Sequence, residues 1–154
     1  MYRSVFQVEE FLDKVKNGKA KAHLRSQIAP KKQSKPVATV VGKTFQQIVM
    51  DPTKDVLIEL YAPWCGHCKK FAPEYEKLAK SLSHEKNLVL AKMNADANDT
   101  PENYNVMGYP TIYFAPANRK DEPIKYEGQR ELDDLKKFMT ENAAVSLQKL
   151  KDEL

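Results

Sequence analysis

The sequence predicts an α/β domain with a mixed central sheet of about five strands, flanked by helices on both faces. Three observations carry that expectation. Apolar runs of strand length alternate with helical patterns between residues 37 and 93. Two further short apolar runs, 111–114 and 124–127, face each other across a Pro- and Asn-containing stretch, as an antiparallel hairpin does. The chain of 154 residues holds one domain with a proper core and some spare length. Strand–helix–strand connections early and a hairpin late require a sheet of mixed sense with both faces covered.

Composition narrows the class. Apolar residues at 42% and charged residues at 30% are ordinary for a globular chain. The net charge of +4 comes partly from Lys-rich ends, so it is no footprint of nucleic acid or of a membrane surface. No apolar run approaches a membrane span, and the first thirty residues lack the apolar centre of a signal peptide.

Residues 5–16 place Val5, Val8, Phe11, Leu12 and Val15 on one helical face, with Gly18 as the stop. A single short amphipathic helix is marginal alone and wants a partner surface, here expected to be a preceding domain. Residues 26–36 are polar and Pro-bounded without periodicity, which reads as a linker. A short strand follows at 37–41 and a helical turn or two at 44–50. Residues 56–61 form an apolar strand interrupted only by Glu59. The helical pattern 65–82 contains Pro73, expected to kink it and split it in two. Residues 88–93 form another buried strand, broken only by Lys92. A loop and short helix are expected over 96–104, then the hairpin, then a last helix over 131–144 with Leu132, Leu135, Phe138 and Met139 inward. The tail 145–154 is polar and expected to be loose. There are no internal repeats.

Chemistry concentrates in Trp64-Cys65-Gly66-His67-Cys68-Lys69-Lys70, which holds both cysteines of the chain where a strand gives way to a helix. A zinc site needs a second ligand pair, and His23 and His84 are isolated, so no metal is expected. A structural disulfide across two residues closes a loop too small to stabilise much. A dithiol that opens and closes in use is the remaining reading. First-turn N–H groups point at the Cys65 sulfur, and His67, Lys69 and Lys70 add positive character, all of which favours a thiolate. For a thiol brought from a pKa of about 8.5 to about 5, the gain in thiolate is offset by lost nucleophilicity, so attack gains almost nothing. The reduced form, however, is stabilised by about 2.7 kcal/mol, on the order of 60 mV toward oxidising, and the sulfur leaves more readily. Those are properties of an oxidant and shuffler.

With these residues in view, 37–144 resembles a thioredoxin-fold catalytic domain of the protein disulfide isomerase family. The resemblance rests on Tyr61-Ala62-Pro63-Trp64-Cys65-Gly66-His67-Cys68-Lys69, Tyr109-Pro110-Thr111 and Tyr126-Glu127-Gly128-Gln129-Arg130-Glu131. Val41-Gly42-Lys43-Thr44-Phe45 and Ile48-Val49-Met50-Asp51-Pro52 are most similar to the last catalytic domain of members that carry three such domains. Residues 1–25 then correspond to the end of a preceding non-catalytic domain. Gln129 departs from the Gly common before the Arg in this family. The resemblance implies Cys65 as an exposed attacking thiol and Cys68 as a shielded resolving thiol, the two forming a redox-active disulfide. It implies a cis Pro110 that leaves neighbouring backbone free to pair with extended substrate, with Trp64, Tyr109 and Thr111 beside it. It implies an Arg130 that swings toward the resolving thiol. No cofactor is expected beyond glutathione or another thiol–disulfide couple. Expected partners are unfolded or misoxidised secretory proteins, the KDEL receptor and other chaperones of the endoplasmic reticulum, for a monomer. A peptide-binding module without turnover, and a thioredoxin-like reductase, are the alternatives.

Three features complete the reading. Glu59 and Lys92 are lone charges in apolar strands, and opposite signs on neighbouring strands suggest that they partner one another beneath the dithiol. Burial then raises the Glu59 pKa against the pull of Lys92, and the family resemblance gives both a part in taking the proton from Cys68. The chain ends in Lys151, Asp152, Glu153 and Leu154, the receptor-read retention signal of the endoplasmic reticulum lumen, which implies a longer precursor and Met1 as an artificial start. Asn98-Asp99-Thr100 is a formal glycosylation sequon, followed unfavourably by Pro101. The acidic stretch around it lacks the spacing of a calcium loop.

Overall fold

The period-two alternation of the central strands decides the layers. The computed structural model describes residues 5–20, 23–33, 36–145 and 147. Its sheet has five strands: β1 (Ala38–Val40), β2 (Asp55–Tyr61), β3 (Leu88–Asn94), β4 (Thr111–Ala115) and β5 (Ile124–Tyr126), in the order β1-β3-β2-β4-β5. β3 lies parallel between β1 and β2, while β4 runs antiparallel to β2 and β5 to β4. The helices are α1 (Val5–Lys16), α2 (Phe45–Ile48) after a 3₁₀ turn Gly42–Thr44, α3 (Gly66–Ser81) and α4 (Leu132–Asn142). Leu57, Leu90, Ile112 and Phe114 pack with Phe71, Tyr75 and Leu78 of α3 and Leu135 and Met139 of α4. Val56, Ile58, Leu60, Met93 and Tyr113 pack on the other face against Phe45, Val49 and Tyr104. Each such side chain, taken fully from water, contributes about 1.5–3 kcal/mol. The expected thioredoxin-type sheet with helices on both faces is the architecture found.

α3 differs from its expectation. It is one uninterrupted helix of 16 residues despite Pro73. Proline removes one N–H from the helical ladder, but Phe71, Tyr75 and Leu78 around it are buried. The Tyr75 hydroxyl also donates, shared, to the carbonyls of Leu57 (2.8 Å) and Ala91 (3.0 Å). That fastening to both central strands outweighs a single lost bond.

The short helix expected in 96–104 is absent; the segment is a chain of turns. Its local preference is overridden by Asn98, which is 1% exposed. The Asn98 amide donates to the Asn94 carbonyl and to Gln27 Oε1, and its oxygen accepts from the N–H groups of Gly42 and Gln27. With all its capacity used inside the fold, Asn98 offers no free amide for a glycan.

The linker reading of 26–36 also needs correction, because the chain is fastened at two points. Residues 25–27 lie on the 96–99 turn, and the Gln33 side chain bonds both the N–H and the carbonyl of Thr39. Gly42 is required here: a Cβ at this position would sit 2.8 Å from the Arg25 carbonyl oxygen. The tail begins tied down rather than loose. Asp55, fully buried at the start of β2, accepts from the N–H groups of Ala117, Ala144 and Val145. Leu147 is 1% exposed in the core. Lys151, Asp152, Glu153 and Leu154 lie outside the described residues. α1 ends at Gly18, whose φ of +65° suits glycine. Its Val8, Phe11, Leu12 and Val15 are exposed, and the Val5 side chain lies outside what is described.

Candidate active site

The end of β2 and the start of α3 bring the chemistry together. Cys65 is the N-cap of α3 in extended conformation (φ −75°, ψ 115°), and its sulfur accepts from the Cys68 N–H at 3.1 Å. A helix start needs such an acceptor, since its first N–H groups have none within the helix. Cys65 and Cys68 are joined in a disulfide, with Cα atoms 5.3 Å apart. Exposure does not separate them as expected: Cys65 is 6% exposed and Cys68 4%. What differs is the space each one faces. Cys65 opens on a surface cleft of about 440 Å³ walled by Trp64, Gly66, His67, Val106, Met107 and Tyr109. Cys68 borders a smaller cavity of about 120 Å³, walled by Glu59, Tyr61, Ala62, Lys69, Ala72 and Lys92. Its walls are mostly apolar, but Glu59 and Lys92 offer polar partners and the space has room for water.

Glu59 is 2% exposed and its Oε1 has no hydrogen-bond partner among the described residues. Burial pushes its carboxyl up to about 7 against the opposing pull of the Lys92 and Arg130 charges. Lys92 stands directly across the β2–β3 ladder from Glu59. It does not close the expected ion pair with it: among the described residues its carboxylate neighbour is Glu76 of α3, at 4.0 Å. The Lys92 stem carries the ammonium to the helix surface, where water still reaches it.

The Tyr109–Pro110 bond is cis. Pro110 is buried, and Thr111 beside it donates its hydroxyl to the Gly108 carbonyl at 2.6 Å. Trp64 is 66% exposed, meets Tyr109 edge to face at 5.6 Å, and donates its indole N–H to Asp96 at 3.3 Å. His67 is exposed at the cleft rim. Arg130 is exposed and reaches the Pro110 carbonyl at 3.5 Å. It lines a neighbouring groove with Tyr109, Thr111 and Tyr126, not the cavity beside Cys68.

Asp96, Glu76, Val106 and Met107 escaped the sequence reading. Of these only Met107, an apolar residue stranded in a loop and 85% exposed, leaves a signal in the chain itself. Among the described residues no group of three or more His, Cys, Asp or Glu is placed to hold a metal. No described helix is long and apolar enough to cross a membrane.

The thioredoxin family model matches residues 36–141. The chain belongs to the thioredoxin family. It is 57% identical over 148 residues to a probable protein disulfide-isomerase A4 of Caenorhabditis elegans, covering 96% of this chain and 24% of that protein. To the protein disulfide-isomerase A4 of Homo sapiens it is 54% identical over 149 residues, covering 96% and 23%. The solved first thioredoxin domain of mouse protein disulfide-isomerase A4 superposes with a TM-score of 0.63 at 32% identity, over 76% of this chain and 85% of that one. The chain thus spans about a quarter of the length of these curated relatives. In this thioredoxin-family domain the disulfide sits where the central strand β2 gives way to α3, and Tyr109, whose bond to Pro110 is cis, lines the cleft in front of Cys65.

Proposed function

We propose that the chain is a thiol–disulfide oxidoreductase and isomerase, acting on folding secretory proteins in the endoplasmic reticulum lumen. The observation that carries this is the Cys65–Cys68 disulfide at the start of α3, one sulfur on an open apolar cleft and the other beside a buried carboxyl. In oxidation, a substrate thiolate attacks Cys65 Sγ, the Cys65–Cys68 bond breaks, and Cys68 leaves as a thiolate that takes a proton from Glu59. A second substrate thiolate then attacks the mixed disulfide, and Cys65 leaves as a thiolate facing the helix N-terminus. In isomerisation the reduced Cys65 thiolate opens a substrate disulfide. Another substrate thiolate then attacks the adduct, forming a new substrate disulfide and releasing Cys65 as the thiolate. Where no rearrangement follows, Cys68, its proton taken by Glu59, attacks Cys65 Sγ, which expels the substrate thiolate and leaves the Cys65–Cys68 disulfide. Glutathione disulfide, or another disulfide of that class, reoxidises the pair. Lys92 and Arg130 hold down the Glu59 pKa, His67 supports the Cys65 thiolate, and Trp64, Tyr109, Pro110 and Thr111 receive the extended substrate.

Residues 1–25 fit the end of a preceding domain, 26–36 the connection, 37–144 the catalytic unit and 145–154 a tail with the retention signal. Lys151, Asp152, Glu153 and Leu154 support lumenal residence through the KDEL receptor, for a monomer that meets other chaperones there.

Refolding of a scrambled disulfide protein in glutathione buffer tests the reading. Cys65→Ser should abolish turnover, and Cys68→Ser should leave trapped mixed disulfides on non-reducing gels. Equal activity of both variants and wild type overturns it. The exposed Trp64 and Met107 at the cleft would then favour a peptide-binding module without turnover. A thioredoxin-like reductase is disfavoured by the retention signal.

A further inference from the structure

We infer that Arg25 is a positioning residue for the substrate cleft: it clamps the turn that holds Trp64, so the segment 25–27 is a working part of the site. The inference rests on the proposed disulfide exchange at Cys65. Trp64 forms one wall of the cleft in front of that sulfur. Two contacts fix its indole, the edge of Tyr109 and the Asp96 carboxylate. Tyr109 is held by packing against the cluster of Ala62, Cys65 and Cys68. Asp96 sits in the turn after β3, where its own N–H donates to Asn94 Oδ1 at 3.1 Å and the Ala97 N–H donates to the Asn94 carbonyl at 3.3 Å. These local bonds leave the Asp96 carbonyl and the far end of the turn to be held from elsewhere.

That holding comes from far away in sequence. Arg25 Nη1 donates to the Asp96 carbonyl at 3.0 Å, and Arg25 Nε to Asp99 Oδ1 at 3.1 Å. The Arg25 N–H donates to Asp99 Oδ2 at 2.7 Å, while its carbonyl accepts from the Asp99 N–H at 2.9 Å. One residue thus grips both ends of the 96–99 turn. Next to it, the Gln27 N–H donates to the buried Asn98, and Ser26 Oγ accepts from the Lys43 N–H. An exposed Arg–Asp pair alone is worth little. Here the same side chain also satisfies backbone groups, and a planar guanidinium can reach two acceptors at once where an ammonium cannot. Asp99 responds accordingly: chiefly the Arg25 N–H holds its carboxyl below the usual range.

Trp64 is the sole tryptophan of the chain, so its fluorescence reports this contact directly. The full chain carries Arg25→Ala, Asp99→Ala, the pair together, Arg25→Lys, Asp96→Leu and Asp96→Asn, each checked for an unchanged unfolding profile. Time-resolved anisotropy should show a freer indole in Arg25→Ala, Asp99→Ala and Asp96→Leu. Arg25→Lys should loosen it in the same direction, and Asp96→Asn, which keeps an acceptor, should restore it. With a polypeptide disulfide as substrate, KM should rise about fivefold in Arg25→Ala, the fold-change that accompanies one lost net hydrogen bond. Turnover of a small-molecule disulfide should stay at the wild-type rate. The Arg25 and Asp99 effects should not add, because they break one clamp. Unchanged anisotropy, unchanged KM or additive effects overturn the inference. Should Arg25→Ala unfold, Arg25→Lys carries the same test. A Cys65→Ser variant as active as wild type would instead overturn the catalytic reading. The clamp is then judged on anisotropy and on affinity for an extended peptide alone.

Discussion

Replacing Glu59 by Gln should change how stability depends on pH more than it changes stability itself. The Glu59 carboxyl titrates at about 7 in the fold against an ordinary 4.5, because burial disfavours its charge more than Lys92 and Arg130 favour it. Below pH 4.5 the group is neutral folded and unfolded, and its contribution to stability is fully present. As pH rises from 4.5 to 7 the unfolded carboxyl ionises while the folded one resists, so that contribution is lost. At about 1.4 kcal/mol per pKa unit, the loss reaches about 0.8 kcal/mol at pH 5 and about 3.3 kcal/mol at pH 8. Gln does not titrate. The stability of Glu59→Gln relative to wild type should therefore rise by about 2.5 kcal/mol between pH 5 and pH 8. Urea unfolding of both proteins with the disulfide intact measures it, and all other titrating groups cancel in the comparison. The orphaned Oε1 adds an offset that pH does not move. Parallel curves for the two proteins across this window would refute the assignment of a buried, raised Glu59.

Glu59→Gln should leave attack of Cys65 on a substrate disulfide near the wild-type rate and slow release by Cys68 about 10²-fold; stopped-flow separation of the steps decides it, and equal slowing of both removes Glu59 from the mechanism. Asp55→Ala should cost about 3 kcal/mol, since three part-buried N–H groups lose their common acceptor. Limited proteolysis should then cut near Leu147, which wild type protects. After reduction, a bulky maleimide should label Cys65 well before Cys68, although both are nearly covered, because only Cys65 faces the open cleft. Equal labelling rates, read by mass spectrometry, would mean that the two cavities do not distinguish the sulfurs.

The central strands were legible as apolar runs of strand length bounded by turns, and the short outer ones through their place in the alternation with helices or across a turn. α3 and α4 were legible through their buried stripes. What escaped depends on contacts between residues far apart in the chain. Asn98 prefers turns by its own chemistry, but its partners lie at Gln27 and Gly42, and no local pattern announces them. Asp55 stands just outside the strand expected at 56–61, and nothing local announces that its carboxylate ties the tail to the sheet. Residues 26 and 27 had a linker's composition and Arg25 the place of a preceding domain's end, and all three are held by pairing that only the folded chain supplies. In the site, the cysteine spacing was visible in the sequence, as were Glu59 and Lys92, since lone charges in apolar strands stand out. Asp96 and Glu76 were not, because ordinary surface carboxylates gain meaning only from what crosses over them.

The difference between an expected pair and the one observed bears on the chemistry. Register alone places Glu59 opposite Lys92, and charge suggests that they close on each other. A closed pair would hold the carboxylate ionised, since an opposite charge in contact favours the charged form. A carboxylate so held takes a proton reluctantly and cannot lend one at neutral pH. With the ammonium drawn toward Glu76, Lys92 acts on Glu59 as a field rather than a partner. Burial then dominates, and the carboxyl settles at about 7, where it is half protonated at neutral pH. That is the condition under which one group serves both directions of the proposed exchange, giving a proton to Cys68 on opening and taking one on resolution. Glu76 thereby enters the tuning of the site from the surface of α3. Its replacement by Gln frees the ammonium to approach Glu59, so the Glu59 pKa should fall, and the pH at which resolution by Cys68 reaches half its maximum should fall with it. An unshifted pH profile in Glu76→Gln would show that the Lys92 position is set by its own strand and not by the helix.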